Sequence, residues 1–566
     1  MKAASVLMHV AAVVVAGRVC PAHATTKSTK GPQGAAPNGV GTAVCTGPKP
    51  QQYVFHLSDQ TCGLNDPNGP FYDSVHGVYH SFYQEHLAVT PGCNQRGCNQ
   101  SMGIGKRWGH WVSRDFLHWA RLPVAIWNNM WYDDVAVFSG SATIVDGKPV
   151  IVYDGVCSWP EKCLNSPTQF TYNVAVPANA SDPFYTEWSK PSYNPIVNGT
   201  GGAMSTAWQT QDGEWRFIGK QACKSKGGNS LSQLYGSKDF KVWYKLGCAP
   251  LPNNGDDAMP TLFPLPPLTP GSDANLSDAQ RAALPNKVHK AGDYVQVGTW
   301  ADTAHSGAWE QVGNSTPLDN GNTHAATDFW DPVKNRRIMW VWGTLTPGGL
   351  MAVPRALTYD PRLQKIVYAP VEELRSLRSP TPLGTVGASA LGKVGGSIKV
   401  SPASNMVAVF AMPADGTAVM IEIDNGGGMV FANRSGSTMH VGFQKSGVFA
   451  GATDTYTTHE PNMKDGGPRN GGGNDSFQVL PSDTELSIEI FLDHGEGSGT
   501  PVGEAYWQGG RVAMTFGTCR AAPGPWATAA IISDGPVKLI NATSWQMSSI
   551  WVTKERVMAT RRKDSL

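Results

Sequence analysis

The chain is 566 residues long, with 16 % charged residues and a formal net charge of +1. That length exceeds one simple core and implies at least two domains. The near-even charge balance offers no basic field for nucleic acid and no acidic tail.

Residues 1–24 read as a signal peptide. Lys2 supplies the positive start, Val6 to Ala16 is apolar except for His9, and Ala22-His23-Ala24 is a small-x-small cleavage site. The apolar run is too short to cross a bilayer and no later run of about 20 apolar residues follows, so the expectation is a secreted protein with no membrane partner. Eight sequons, starting at Asn99, Asn179, Asn198, Asn275, Asn314, Asn433, Asn474 and Asn541, agree with that route. So do the cysteines. Cys93/Cys98 and Cys157/Cys163 are close pairs in polar sequence, and Cys45/Cys62 and Cys223/Cys248 are further candidates, which leaves Cys519 over. Their spacing does not suit zinc, and no metal or nucleotide motif appears, so no cofactor is expected.

Residues 25–50 are rich in Gly, Pro, Thr and Ala without periodicity and read as a flexible leader. From 51 to 370 short apolar or alternating runs are broken by Gly, Pro, Asn and Asp, as in Val150-Ile151-Val152-Tyr153 and Arg337-Ile338-Met339-Trp340. That spacing predicts strands. The best helical stretch, Ser277 to Leu284, lies in a Pro-rich excursion between about Pro264 and Lys290. Residues 371–384 read as a linker. A second β-rich region follows over 385–556, with alternation at Val419-Ile421-Ile423 and Leu486-Ile488-Ile490-Leu492, and 557–566 read as a charged tail. The chain holds 19 Trp. An exposed indole suits the C–H face of a sugar, but core packing accounts for most of them.

Asn65-Asp66-Pro67-Asn68-Gly69 taken alone is a turn. Its company changes that reading. Tyr79 to Gln84 follows as a strand, then Trp108-Gly109-His110-Trp111 leading into Ser113-Arg114-Asp115-Phe116, then Val137-Phe138-Ser139-Gly140-Ser141-Ala142-Thr143. Further on come Ser237-Lys238-Asp239-Phe240, Asp319-Asn320-Gly321, Val353-Pro354-Arg355, Ile490-Phe491-Leu492-Asp493 and Glu504-Ala505-Tyr506. This ordered set resembles glycoside hydrolase family 32, the invertases, inulinases, levanases and fructosyltransferases. The resemblance implies an all-β fold, a five-bladed β-propeller followed by a C-terminal β-sandwich. It implies retaining chemistry on a sucrose- or fructan-type sugar, with two carboxyls about 5–5.5 Å apart.

By that resemblance Asp66 is the nucleophile. A third family carboxylate, in an Arg-Asp-Pro motif, grips fructose hydroxyls. Register on Thr206-Ala207-Trp208 puts Gly202-Ala203-Met204 there, so that carboxylate is replaced by Ala203. Anchoring on Pro260 and Phe263-Pro264 puts Ala258 at the acid/base Glu. Asp256 and Asp257 precede Ala258. Strand alternation turns Asp257 away and leaves Asp256 one step along, and a slip or bulge would bring either in as a substitute acid/base. Asn65, Gln84, Trp108, Asp134, Phe138 and Ser139 match positions lining the family's fructose subsite or its approach, with core packing the alternative for Trp108 and Phe138. Three readings stay open: a β-fructofuranosidase-like protein that recognises the sugar with weak or no hydrolysis, an active β-fructosidase or fructosyltransferase with a relocated acid/base, or a protein whose pocket is unused. The sequence does not specify an oligomeric state.

Overall fold

The computed structural model describes residues 34–35, 42–45, 52–59, 63–85, 87–89, 106–157, 169–200, 202–224, 230–252, 259–345, 349–392, 395–424, 427–444, 472–495, 501–517 and 526–561. The expected signal peptide over 1–24, Asp256, Asp257 and Ala258, and Cys62, Cys93, Cys98, Cys163 and Cys519 lie outside the described residues.

Five antiparallel sheets, each built on four strands in a row, form the blades of a propeller. Blade one comprises Leu64–Asp73, Val78–Glu85, Arg107–Ser113 and Ala120–Ile126. Blade two comprises Ala136–Val145, Lys148–Cys157, Gln169–Pro177 and Trp188–Ser189. Trp208–Gln209, Trp215–Lys224, Ser230–Ser237 and Trp243–Pro252 make blade three. Thr261–Pro264, Lys287–Ala291, Tyr294–Asp302 and Gly307–Pro317 make blade four. Thr323–Asp331, Arg336–Gly343, Arg355–Asp360 and Lys365–Pro370 make blade five. Each blade packs between two others, so a strand such as Val78–Glu85 is buried at every position and shows no alternation.

Two further sheets face each other beyond the propeller. One contains Ala403–Ala411, Glu485–Asp493, Val502–Trp507, Val512–Gly517 and Val537–Gln546. The other contains Ala418–Ile423, Gly428–Ser435, Thr438–Gln444 and Thr528–Ser533. Here alternation is clear, because one side of each sheet meets the other and the opposite side meets water. Val419, Ile421 and Ile423 point inward with Leu486, Ile488, Ile490 and Leu492.

The motifs Asp319-Asn320-Gly321, Val353-Pro354-Arg355, Asp493 and Glu504 meet at the seam between propeller and sandwich. Asp493 accepts from the N–H groups of Val54, Phe55 and His56 at 2.9, 2.8 and 3.2 Å. The His56 ring bridges Asp493 and Glu504, each at 2.9 Å. Arg355 donates to Asp319 at 2.6 Å and to Thr515 at 3.0 Å. Burial alone would lower the His56 pKa, but its bonds to two carboxylates hold it up at about 9.

Several elements depart from the sequence reading. Thr42–Cys45, expected within a flexible leader, pairs with Leu87–Val89 and with Gly34–Ala35. The partner strand supplies hydrogen bonds that composition does not reveal. The expected linker contains a 3-10 helix, Glu372–Leu377, with Glu373 paired to Arg336 and Lys334. Part of the expected tail folds too. Thr553 caps the helix Lys554–Ala559, and Val557 packs on Val78, Val112, Ala120 and Leu122 of blade one. Elsewhere the expectation stands: Ser277 forms a capping box on the helix Asp278–Ala282, and Cys223 bonds Cys248.

Candidate active site

The innermost strands of blades one, two and five run side by side around the propeller axis. The pentapeptide Asn65 to Gly69 opens the innermost strand of blade one, with register shifts at both sides of Pro67-Asn68. Proline's missing N–H is accommodated at that irregularity. A side chain on Gly69, whose φ is +38°, would meet the Trp108 ring at 3.2 Å and the Ala142 main chain at 3.3 Å. Asn68 accepts the N–H of Gly140 at 3.3 Å and ties blade one to blade two.

The partly buried Asp66 accepts a short hydrogen bond from the Ser139 hydroxyl. Gln84 donates to Ser139 at 2.5 Å and lies 3.5 Å from Asp66. Asp66, Gln84 and Ser139 therefore form one cluster drawn from three strands. An amide and a hydroxyl hold the carboxylate in one orientation, which is what a positioned nucleophile or a sugar-hydroxyl acceptor requires.

The remaining sequence candidates divide. Phe138 is partly buried, its ring 6.2 Å from that of Phe170. Asn65 and Asp134 are buried, and the Asp134 carbonyl accepts from Asn128 at 2.8 Å. Trp108 requires a correction: at 0 % exposure it does not reach a ligand. Its ring packs on Phe82 and its indole N–H donates to the Phe138 carbonyl at 2.8 Å, so it backs the site from the core. A large aromatic flanked by glycines on two strands fills the blade interior before it can wall a pocket.

Ala203 is buried at the start of blade three, its carbonyl accepting from the Lys220 N–H at 2.8 Å. Ser141 donates to the Ser205 carbonyl at 2.9 Å, and Thr143 accepts from the Ala207 N–H at 3.0 Å. Those contacts align blade two with blade three. Sequence reasoning passed over one buried carboxylate nearby, Asp154. The signal was there: an acid closing the apolar run Val150 to Tyr153. Among the described residues no group of three or more His, Cys, Asp or Glu is arranged to hold a metal ion.

Residues 56–370 match the model of the glycosyl hydrolases family 32 N-terminal domain. The chain belongs to glycoside hydrolase family 32. It is 33 % identical over 364 residues to beta-fructofuranosidase, insoluble isoenzyme 3, of Oryza sativa subsp. indica, covering 57 % of this chain and 58 % of that protein. It is 31 % identical over 400 residues to fructan 6-exohydrolase of Triticum aestivum, covering 64 % of each. The matched stretch thus spans less than two thirds of the length of these curated relatives. The solved structure of fructan 1-exohydrolase IIa from Cichorium intybus superposes with a TM-score of 0.67 at 21 % identity, covering 89 % of this chain and 99 % of that chain. The propeller-and-sandwich fold of this family 32 member is the one its sequence leads one to expect.

Proposed function

We propose that this family 32 protein recognises sucrose- or fructan-type sugars at Asp66 and cleaves them weakly or not at all, after export through the secretory pathway. One observation carries the reading. The Asp66 carboxylate has a hydrogen-bonded setting with Ser139 and Gln84, while position 203, where family resemblance expects a further carboxylate, offers only a methyl group. Retaining hydrolysis needs a second carboxyl across the scissile bond, and general acid–base help contributes roughly 10²–10⁴-fold. By family resemblance Ala258 stands at that second carboxyl, and alanine carries no proton to give. The similarity to a beta-fructofuranosidase and to a fructan 6-exohydrolase supports the class of sugar.

The test is to purify the secreted protein, offer sucrose, inulin and levan, and measure binding by calorimetry alongside fructose release. Binding without release, weakened by Asp66→Asn, is the expected result. Robust release abolished by Asp66→Asn would instead establish a working hydrolase, and its loss in Asp256→Asn or Asp257→Asn would identify the relocated acid/base. Neither binding nor release overturns both readings.

A further inference from the structure

Each propeller blade ends in an outer strand whose far edge has no partner in its own sheet, and such an edge invites pairing with another chain. Four of the five edges are dealt with inside the fold. Val557, on the helix Lys554–Ala559, packs on Ala120 and Leu122 of the outer strand of blade one. Blade two ends in only two residues, Trp188–Ser189. On blade three the Gly247 N–H donates to the His305 carbonyl at 2.9 Å, and Ser306 donates to the Cys248 carbonyl at 2.7 Å. Gly510 of the sandwich closes on the Tyr368 main chain of blade five, which a side chain there would meet at 2.4 Å.

Blade four differs. Its outer strand, Gly307–Pro317, is the longest of the five at 11 residues, and none of them is buried. Among the described residues it pairs with Tyr294–Asp302 and with no other strand. Glu310 is its one charged side chain. The ladder breaks near its end: Thr316 pairs with Val295 and Val312 with Val297, so Gly313, Asn314 and Ser315 stand opposite Gln296 alone. Gly313 takes a φ of +68° and lies against Gln364, while Asn314 and Ser315 are exposed. Asn314-Ser315-Thr316 is one of the sequons. None of its three side chains makes a hydrogen bond among the described residues. Other sequons are less free. Asn179 accepts the Ser181 N–H at 2.9 Å, Ser277 of the Asn275 sequon caps a helix, and Asn198 and Asn433 are half-buried.

We infer that Asn314 carries an N-linked glycan and that this glycan shields the open edge of blade four from pairing with a second copy of the chain. This rests on the export proposed above. The donor is a lipid-pyrophosphate-linked oligosaccharide of the secretory pathway. The amide nitrogen of Asn314 attacks its anomeric carbon; the C–N bond forms, the anomeric C–O bond breaks, the lipid pyrophosphate leaves and the amide gives up one proton. A bulky, hydrated group fixed at the bulge then covers main-chain groups that a single charge and a bulge leave open.

The test expresses the full chain in a eukaryotic secretory host and digests it with peptide-N-glycosidase in heavy-oxygen water, which leaves a labelled aspartate wherever a glycan was attached. The Asn314 peptide should be labelled in the starting protein and in Thr316→Ser, and unlabelled in Thr316→Ala. By light scattering, Thr316→Ala and Asn314→Gln should shift toward larger species with unchanged melting temperature. Ser315→Lys in the Asn314→Gln background should reverse that shift by placing a charge on the edge. A bare Asn314 beside a label at any other sequon overturns the inference and leaves export standing. No label at any sequon removes export with it. A labelled Asn314 whose loss in Thr316→Ala leaves the particle size unchanged, or lowers the melting temperature along with the shift, overturns the shielding role.

Discussion

Blades one and three turn from their third strand into their fourth with the same device. In blade one Asp115 accepts from the N–H groups of Leu117 and His118 at 2.9 and 2.8 Å, and Phe116 takes a φ of +62°. In blade three Asp239 accepts from Lys241 and Val242 at 2.8 and 2.9 Å, and Phe240 takes a φ of +63°. Both phenylalanine rings are buried, which offsets the left-handed backbone. Elsewhere the two blades part: the innermost strand of blade one carries Asp66, and Ala203, where family resemblance expects a carboxylate, is buried at the start of blade three. The fold needs a tight turn in each blade, because a strand must reverse there. It does not need a carboxylate at 203, where a methyl packs as well. Chemistry and folding therefore place separable demands on the same blade.

The largest effect tests whether the two blades share one frame. Arg355→Leu leaves Asp319 buried at the seam without its cation. We expect a loss of about 3–5 kcal/mol in urea unfolding, in one transition that takes both blades together. Two separate transitions would break the comparison. The next is a pH effect at the same seam. The His56 pKa is raised in the folded state from 6.5 to about 9. Its contribution, about 3 kcal/mol, is fully present below pH 6.5 and is lost as pH rises through 9. His56→Gln should flatten that alkaline slope.

The turns themselves come third. Against the desolvation of burial, hydrogen bonds from His118 and Leu117 depress the Asp115 pKa to about 2. Its stabilisation, about 2 kcal/mol, is present above the ordinary value of 3.8 and disappears as pH falls toward 2. Asp115→Ala should cost about that much at neutral pH. Asp239→Ala, in the exposed turn of blade three, should cost less, about 1 kcal/mol, because water competes for the same N–H groups. Equal losses would mean the turns differ less in solvation than their burial indicates. The smallest change lies outside both blades. Ser277→Ala removes one capping bond from an exposed helix and should cost under about 1 kcal/mol of melting stability.

Much of this was legible in the residues. The alternation of Val419, Ile421 and Ile423 marked an inward face, and Ser277 marked a helix start. Trp108 misled because an aromatic among glycines fits a sugar wall and a blade interior equally well. Val557 sat in a charged stretch and gave no sign of the pocket on blade one that receives it.

By itself the sequence determined strand periodicity, the residues able to reverse a strand, and the family. Only the tertiary structure decided that Ser139 and Gln84 hold Asp66, that Asp154 is fully buried, and that His56 sits between two acids. The reason is physical. Periodicity and turn preference act between residues close along the chain, whereas desolvation and charge pairing exist only once ring closure brings distant strands together.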